Sequence, residues 1–148
     1  MPIRLEIVTP EKLAYRDDVD AVQLPGSEGE LGILPRHAPL ISTLGMGELR
    51  VRKGDVEEVF AVIGGFVQVR PDKVVVLAET ADMASDIDLE KAREARLDAE
   101  RALEIGLVEE ADLATARAAL QAALVRMRIA ERRQRRDRPH HEGPHRRP

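Results

Sequence analysis

One stretch of this chain gathers several side chains able to do chemistry among glycines and prolines. Between Pro25 and Gly47, PGSEGELGILPRHAPLISTLGMG, stand Glu28, Glu30, Arg36 and His37, with Ser27 and Ser42 beside them. A nucleophilic serine needs a base within hydrogen-bond reach, and the commonest hydrolase turn frames it as GxSxG. Ser27, Ser42 and Ser85 have neither. GSEGELG is glycine-rich, but no GK[ST] follows it, so it is not a P-loop that cradles phosphates. His37 has no second His or Cys nearby, and His140, His141 and His145 stand in the last residues, so no metal-ligand spacing arises. The residues therefore predict a noncatalytic chain without a metal site. A second charged group lies at the other end: nine arginines from Arg126 onward, against Glu131, Asp137 and Glu142. The net charge of −4 hides this polarity. It suits either an acidic partner or a solvated helix face with a basic tail.

The elements that must position these groups follow from composition and period. Hydrophobic residues make up 43% and aromatics 2%, so any core is aliphatic. Cysteine is absent, which removes disulfides and thiolate chemistry. No apolar run reaches the roughly 18 residues that span a bilayer, and MPIRLEIV does not read as a signal peptide, so direct membrane insertion is not expected. Residues 1–82 read as a β-sandwich of about ten short strands. Ile3, Leu5 and Ile7 alternate with Arg4, Glu6 and Val8, a half-buried pattern. Glu48–Arg52 pairs across Lys53-Gly54-Asp55 with Val56–Ile63, Gly64-Gly65 marks a bend or bulge, and Phe66–Arg70 with Lys73–Ala78 forms a hairpin about Pro71-Asp72. In the central stretch Pro35 and Pro39 belong at edges or corners. There Leu31, Ile33, Leu34, Leu40, Ile41 and Leu44 are predicted to face the core, with Glu28, Glu30, Arg36 and His37 outward at one end.

The pattern changes at Asp82. DMASDID reads as a polar linker, with Ser85 to Asp88 at capping-box spacing. A helix is predicted over Leu89–Ile105, with Leu89, Ala92, Ala95, Ala99, Ala102 and Leu103 on one face and Gly106 as its stop. A second helix begins near Asp112, carries Leu113, Ala116, Leu120, Ala123, Leu124, Met127 and Ala130 on one stripe, and ends before Pro139. The fold class is α+β by segment: a sandwich over 1–82, an antiparallel helical hairpin over 83–138, and a disordered tail over 139–148. The facing stripes are mostly alanine. Each Ala in place of Leu forfeits on the order of 2 kcal/mol of burial, so the hairpin should dock shallowly. Its Ala, Leu, Arg, Glu and Gln are strong helix formers, so it should stay helical when undocked.

GSEGELGILPRHAPLISTLGMGELRV, IGGFVQVRPDKVVVLAETA, SDIDLEKAREARLDAERAL and ADLATARAALQAALVRMRIAERR occur in this order. Together they resemble the epsilon subunit family of bacterial F-type ATP synthases from about Pro2 to Arg133. The resemblance implies a noncatalytic central-stalk subunit of a proton-translocating complex, peripheral on the cytoplasmic face of the plasma membrane. The sandwich would couple the γ subunit to the c-ring. The hairpin would lie folded down, or extend between the α and β subunits of the catalytic hexamer and hinder ATP hydrolysis. Glu28, Glu30 and His37 then fall at the c-ring and γ interface; on the residues alone they are exposed turn carboxylates and a loop histidine. Arg126, Arg128, Arg132 and Arg133 would meet an acidic segment of the catalytic β subunit. Some family members bind ATP through an I(L)DxxRA motif. Ile87, Asp88 and Ala92 match it, and Arg126 falls where a second-helix arginine contributes. Lys91 replaces the motif's Arg and loses its planar fork. Asp98 and Ala122 stand where binding members carry further arginines. The other reading of this stretch is an ordinary capped helix start, with no cofactor beyond weak regulatory ATP binding.

Two other classes have some support in the residues. A nucleic-acid module could use the arginine-rich end, but the body is acidic and almost no aromatics are available to stack bases. A sandwich enzyme or sugar binder would need a spaced carboxylate pair or an aromatic platform, and the chain offers neither.

Overall fold

The computed structural model describes residues 2–106 and 109–137. Eight strands form the first unit: β1 (Ile3–Val8), β2 (Leu13–Val19), β3 (Ala21–Gly26), β4 (Gly29–Ile33), β5 (Leu40–Thr43), β6 (Met46–Lys53), β7 (Val56–Val69) and β8 (Lys73–Met83). A single 3-10 turn, Ala84–Asp86, leads to α1 (Leu89–Ile105) and α2 (Glu110–Asp137). Sandwich and helical hairpin follow one another as the sequence predicts. The strand number is lower than the expected ten because β7 and β8 do not break where Gly64-Gly65 suggests an interruption.

The strand order is β2-β1-β8-β7-β6-β3-β4, with β5 added beside β7. β7 changes partner along its length. Val56–Ile63 pairs with β6, while Phe66–Val69 pairs with β5. β8 follows β7 through both halves in one continuous antiparallel register, from Phe60↔Met83 to Val69↔Val74. The long hairpin thus belongs to both layers and bends between them. Its corner is Gly64-Gly65, both at positive φ (64° and 109°). At Gly65 an added Cβ would run into the Leu77 carbonyl oxygen, so the close passage of β7 over β8 requires glycine there.

The main core lies between the layers and takes every member from the first unit, including Ile3, Leu5, Ile7, Leu24, Leu49, Phe60, Val67 and Val76. It is aliphatic except for Phe60, which meets Tyr15 edge to face at 5.3 Å between ring centroids. Burial of Tyr15, then the charges of Glu58 and Asp17, push its hydroxyl pKa up to about 12. This phenol stays protonated at any physiological pH.

Two of the apolar residues expected inside are outside. Ile41 is 73% exposed and Leu34 60% exposed. In β5 the period of two turns Leu40 and Ser42 inward, which points Ile41 away. Leu34 follows the last residue of β4, where the chain turns through Pro35 and Arg36, the latter at φ 67°. Ile33, by contrast, is buried at 1% exposure, and Leu44 is buried as well.

The helix start also differs from the expected capping box. Ser85 sits inside the 3-10 turn, and Asp88 is the N-cap, its Oδ1 accepting from the backbone N–H of Glu90 and Lys91 at 3.0 and 3.2 Å. Asp88 is the residue nearer the first apolar period, so its carboxylate meets both orphan amides and the helix dipole. α1 ends at Gly106 in the left-handed region, φ 72°. α2 is helical through Asp137, the last described residue, so the stop expected before Pro139 lies outside the described residues. Leu89, Ala92 and Ala99 of α1 are buried, while Ala95 is exposed. The tail assigned to 139–148 lies outside the described residues.

Candidate functional site

α2 packs with two faces, only one of which was expected. Met127 and Ala130 meet Leu89 and Ala92 of α1, as the alanine stripe predicts. Val125 and Ile129 turn instead to the sandwich and pack with Ala61 and Ala84, flanked by Met46, Val59 and Ile87. Leu124, assigned to the hairpin stripe, is 45% exposed. The missed signal was present: Ala122, Val125 and Ile129 stand at i, i+3 and i+7, a second stripe nearly half a turn round the helix from the first. Its small size hid it beside the longer alanine series.

This seam carries the charged contacts that link the two units. Arg126 Nε donates to Asp82 Oδ2 at 3.2 Å, and its terminal nitrogen donates to Thr80 Oγ1 at 3.1 Å. One terminal nitrogen of Arg132 donates to both carboxylate oxygens of Glu48, at 2.7 Å to Oε2. Arg136 approaches Glu57 at 3.9 Å. Glu48 also accepts from Arg50 at 2.9 Å, and its side chain is only 13% exposed. Burial pushes the Glu48 carboxyl upward, but the hydrogen bonds from Arg50 and Arg132 outweigh it and hold the pKa below the ordinary glutamate value. Glu48, Glu57, Val59, Ala84, Ile129 and the arginines 132, 133 and 136 line one cleft of about 190 Å³.

Of the arginines expected to meet a partner, Arg126 and Arg132 are thus engaged by the chain's own carboxylates. Arg128 is exposed on α2, and Arg133 lines the cleft. Sequence reading had no means of finding Glu48 and Asp82, because nothing local marks a carboxylate that a distant helix will cover.

A second cleft, of about 290 Å³, opens where α1 begins. It brings together Ile87, Asp88, Ala92 and Arg126, the four residues of the nucleotide reading, and Lys91 lines it as well. Asp98 and Ala122 are not part of its lining. Its charges do not favour a triphosphate. Asp82, Asp86 and Asp88 face Lys91 and Arg126, and the guanidinium is already paired with Asp82. The Asp88 carboxylate is committed to the helix cap.

The acidic and histidine positions of the sandwich lie at the two ends of β4. Glu28 is exposed at the β3–β4 turn, and Glu30 accepts from Gln23 Nε2 at 2.6 Å. His37 follows β4 at the opposite end, in a turn held by the Arg36 N–H donating to the Pro71 carbonyl at 2.9 Å. His37 Nδ1 lies 2.7 Å from the Ala38 carbonyl oxygen. A carbonyl only accepts, so this contact places a proton on Nδ1. Beside this region, the outer face of the sheet bears an apolar row the sequence did not reveal. Phe66 and Leu77 pair directly across β7 and β8, and they are 55% and 51% exposed. Ile41 lies on the same face of neighbouring β5. Among the described residues no cluster of three or more His, Cys, Asp or Glu is placed to hold a metal, and no helix is long and apolar enough to cross a membrane.

Comparison with known proteins agrees with this architecture at each level. Residues 2–84 match the family profile "ATP synthase, Delta/Epsilon chain, beta-sandwich domain", and residues 85–131 match the "long alpha-helix domain" of the same chain. The ATP synthase epsilon chain of Halalkalibacterium halodurans is 45% identical over 130 residues, covering 88% of this chain and 98% of that one. The epsilon chain of Nitratidesulfovibrio vulgaris is 49% identical over 128 residues, covering 86% and 94%. In fold, the chain is similar to one in the cryo-EM structure of the Euglena gracilis mitochondrial ATP synthase, OSCP/F1/c-ring. That match has a TM-score of 0.64 at 22% identity, over 91% of this chain and 81% of that one. A second is in the central stalk/c-ring structure of the Tetrahymena thermophila mitochondrial ATP synthase, with a TM-score of 0.57 at 16% identity, over 88% and 97%. With two consecutive domain matches spanning residues 2–131 and epsilon-chain relatives near 45% identity over almost their whole length, this chain belongs to the ATP synthase delta/epsilon chain family.

Proposed function

We propose that this chain is a noncatalytic central-stalk subunit of an F-type ATP synthase, whose sandwich couples γ to the c-ring and whose hairpin regulates ATP hydrolysis by changing position. The observation that carries the reading is the inequality of the two packing regions. The sandwich core is continuous and shares no residue with the hairpin. The seam beneath α2 rests mainly on Val125 and Ile129 plus the ion pairs already described. Two buried aliphatic side chains contribute about 3–6 kcal/mol, and partly exposed ion pairs contribute about 0–1 kcal/mol each. Such a lever detaches without disturbing its platform. Its helices are rich in strong helix formers and stay helical while detached.

The test is a chain ending at Ala84, reconstituted with the catalytic hexamer and γ. We expect it to fold, to keep its association with γ, and to raise ATP hydrolysis by about fivefold or more, the lower end of ordinary allosteric coupling. Hydrolysis equal to that of the full-length assembly would remove the regulatory role from this chain.

The γ-facing surface in this reading is the apolar row of Phe66, Leu77 and Ile41, an unpartnered sheet face of the kind that subunit contacts cover. Glu28, Glu30 and His37 supply the polar contacts toward γ and the c-ring. Introducing Phe66→Lys and Leu77→Asp together, an opposite-charge pair across the strands, is expected to weaken γ binding by about 30-fold or more, since a central anchor carries about 2 kcal/mol or more. Both side chains point to solvent, so the melting temperature of the isolated chain should barely move. Pull-down titration beside a thermal melt separates the two effects, and unchanged γ affinity would reassign the docking face.

No obligatory cofactor belongs to this reading. ATP entering the cleft at Asp88 and Arg126 would have to draw Arg126 from Asp82, and it would then stabilise the folded-down arm by RT ln(1 + [L]/Kd). The location that follows is peripheral, on the cytoplasmic face of the membrane, held there through the c-ring. A resting folded-down arm is the conformation in which the seam described above is closed.

A further inference from the structure

α2 places arginines at 126, 132 and 136 along one side, and each meets a carboxylate of the sandwich: Asp82, Glu48 and Glu57 respectively. Between these carboxylates lies an apolar floor that includes Met46, Val59, Ala61 and Ala84. The seat is therefore shaped and charged for a basic amphipathic helix, and α2 is its present occupant. Glu48 is its most enclosed member, and it takes both hydrogen bonds from a single nitrogen of Arg132.

We propose that Glu48, supported by Glu57, acts as an intramolecular competitor: the two carboxylates occupy Arg132 and Arg136 of α2 and so exclude an acidic protein surface from them until the arm is released. This rests on the mobile-arm reading above and names what sets its resting position.

The physical reason is exchange between like partners. A half-buried ion pair gains from attraction about what it loses by desolvation. It therefore decides which carboxylate an arginine meets more than how tightly the arm is held. Trading Glu48 for a carboxylate on another subunit then changes little in total energy. Removing Glu48 leaves Arg132 in the seat without its partner, and that does change the balance.

The groups facing Glu48 are Arg50 on its own strand, Glu57 on β7, and Arg132, Arg133 and Arg136 on α2. Because its pKa is depressed in the folded-down form, its contribution is present above the ordinary glutamate range and is lost as pH falls through the depressed value. Acid should therefore open the arm, and so should salt, which screens the pair.

The chain has no cysteine, so an Asp55→Cys, Gln134→Cys pair in the full-length chain takes two fluorophores whose energy transfer reads arm position. In the Glu48→Gln variant the open fraction near pH 7 should rise about fivefold, and the acid-induced opening assigned to Glu48 should vanish. A poly-glutamate peptide, standing in for the acidic surface, should open this variant at lower concentration than the parent. The charge swap Glu48→Arg with Arg132→Glu, made with Arg50→Gln so that the new arginine faces no other at Arg50's position, should restore closure. Three results would overturn the proposal: an unchanged open fraction and pH profile in Glu48→Gln, an identical poly-glutamate midpoint, or opening that the swap fails to reverse. The last would show that Glu48 acts only through packing. All readouts come from the isolated chain. A truncated chain that fails to alter hydrolysis thus refutes the regulatory role and leaves this result standing, and the reverse holds too.

Discussion

Replacing Gly65 by alanine is expected to cost the sandwich more than about 4 kcal/mol of stability. Gly65 sits at φ 109°, outside the region open to side-chain-bearing residues. Strain of that kind costs about 1–3 kcal/mol by itself. A methyl group there would also meet the Leu77 carbonyl and lie 2.8 Å from the Ala78 Cα. Both are backbone atoms within the β7–β8 ladder, so relief requires breaking the Gly65↔Ala78 and Phe66↔Leu77 pairs. A domain of this size is stable by about 5–15 kcal/mol, so a quarter or more of its margin disappears. Gly64→Ala makes an internal control. Its φ of 64° is the milder left-handed region, and the nearest obstruction is the movable end of Glu79 at 3.1 Å. That change should cost about 1–2 kcal/mol. Urea melts followed by circular dichroism give both values, and a Gly65→Ala midpoint equal to the parent's would contradict the described corner.

The second expectation compares the two packing regions directly. Phe60→Ala should destabilise the whole sandwich by about 3–5 kcal/mol. Phe60 is 1% exposed in the main core, and its loss also removes the edge-to-face pair with Tyr15. Ile129→Ala removes an equally buried side chain, 2% exposed, from the seam. Its cost is about 2–3 kcal/mol, and it should appear as faster amide exchange in α2 while exchange in β1, β7 and β8 stays unchanged. The difference arises because the seam opens locally, whereas the sandwich core opens only with global unfolding. Hydrogen exchange at residue resolution distinguishes the cases. If Ile129→Ala accelerates exchange throughout the sandwich, the two units unfold together and the hairpin is no lever.

Much of this was legible beforehand, for identifiable reasons. The alternation of Ile3, Leu5 and Ile7 places these residues in the core at 1%, 0% and 0% exposure. Pro71-Asp72 joins β7 to β8, and Gly106 closes α1. In each case a few adjacent residues limit the backbone or repeat with the period of one element. The misreadings concern residues whose fate depends on a distant neighbour. Ile41 was expected inside because it is apolar, yet the register of β5 on β7 turned it out. Ser85 had the right spacing for a cap, but the 3-10 turn consumed it and left Asp88 to do so.

By itself, then, the sequence determined the element order, the aliphatic core, the alanine-lined hairpin and the arginine series, since each is written in short-range period or residue type. The tertiary structure alone decided that β7 and β8 serve both layers and that α2 has a second buried face. It also decided that Arg132 closes on Glu48, 84 residues away in the chain. A pairing over that distance leaves no local trace, because neither residue's neighbours change its conformational preference. Only the packing of Val125 and Ile129 on the sheet brings the two charges together.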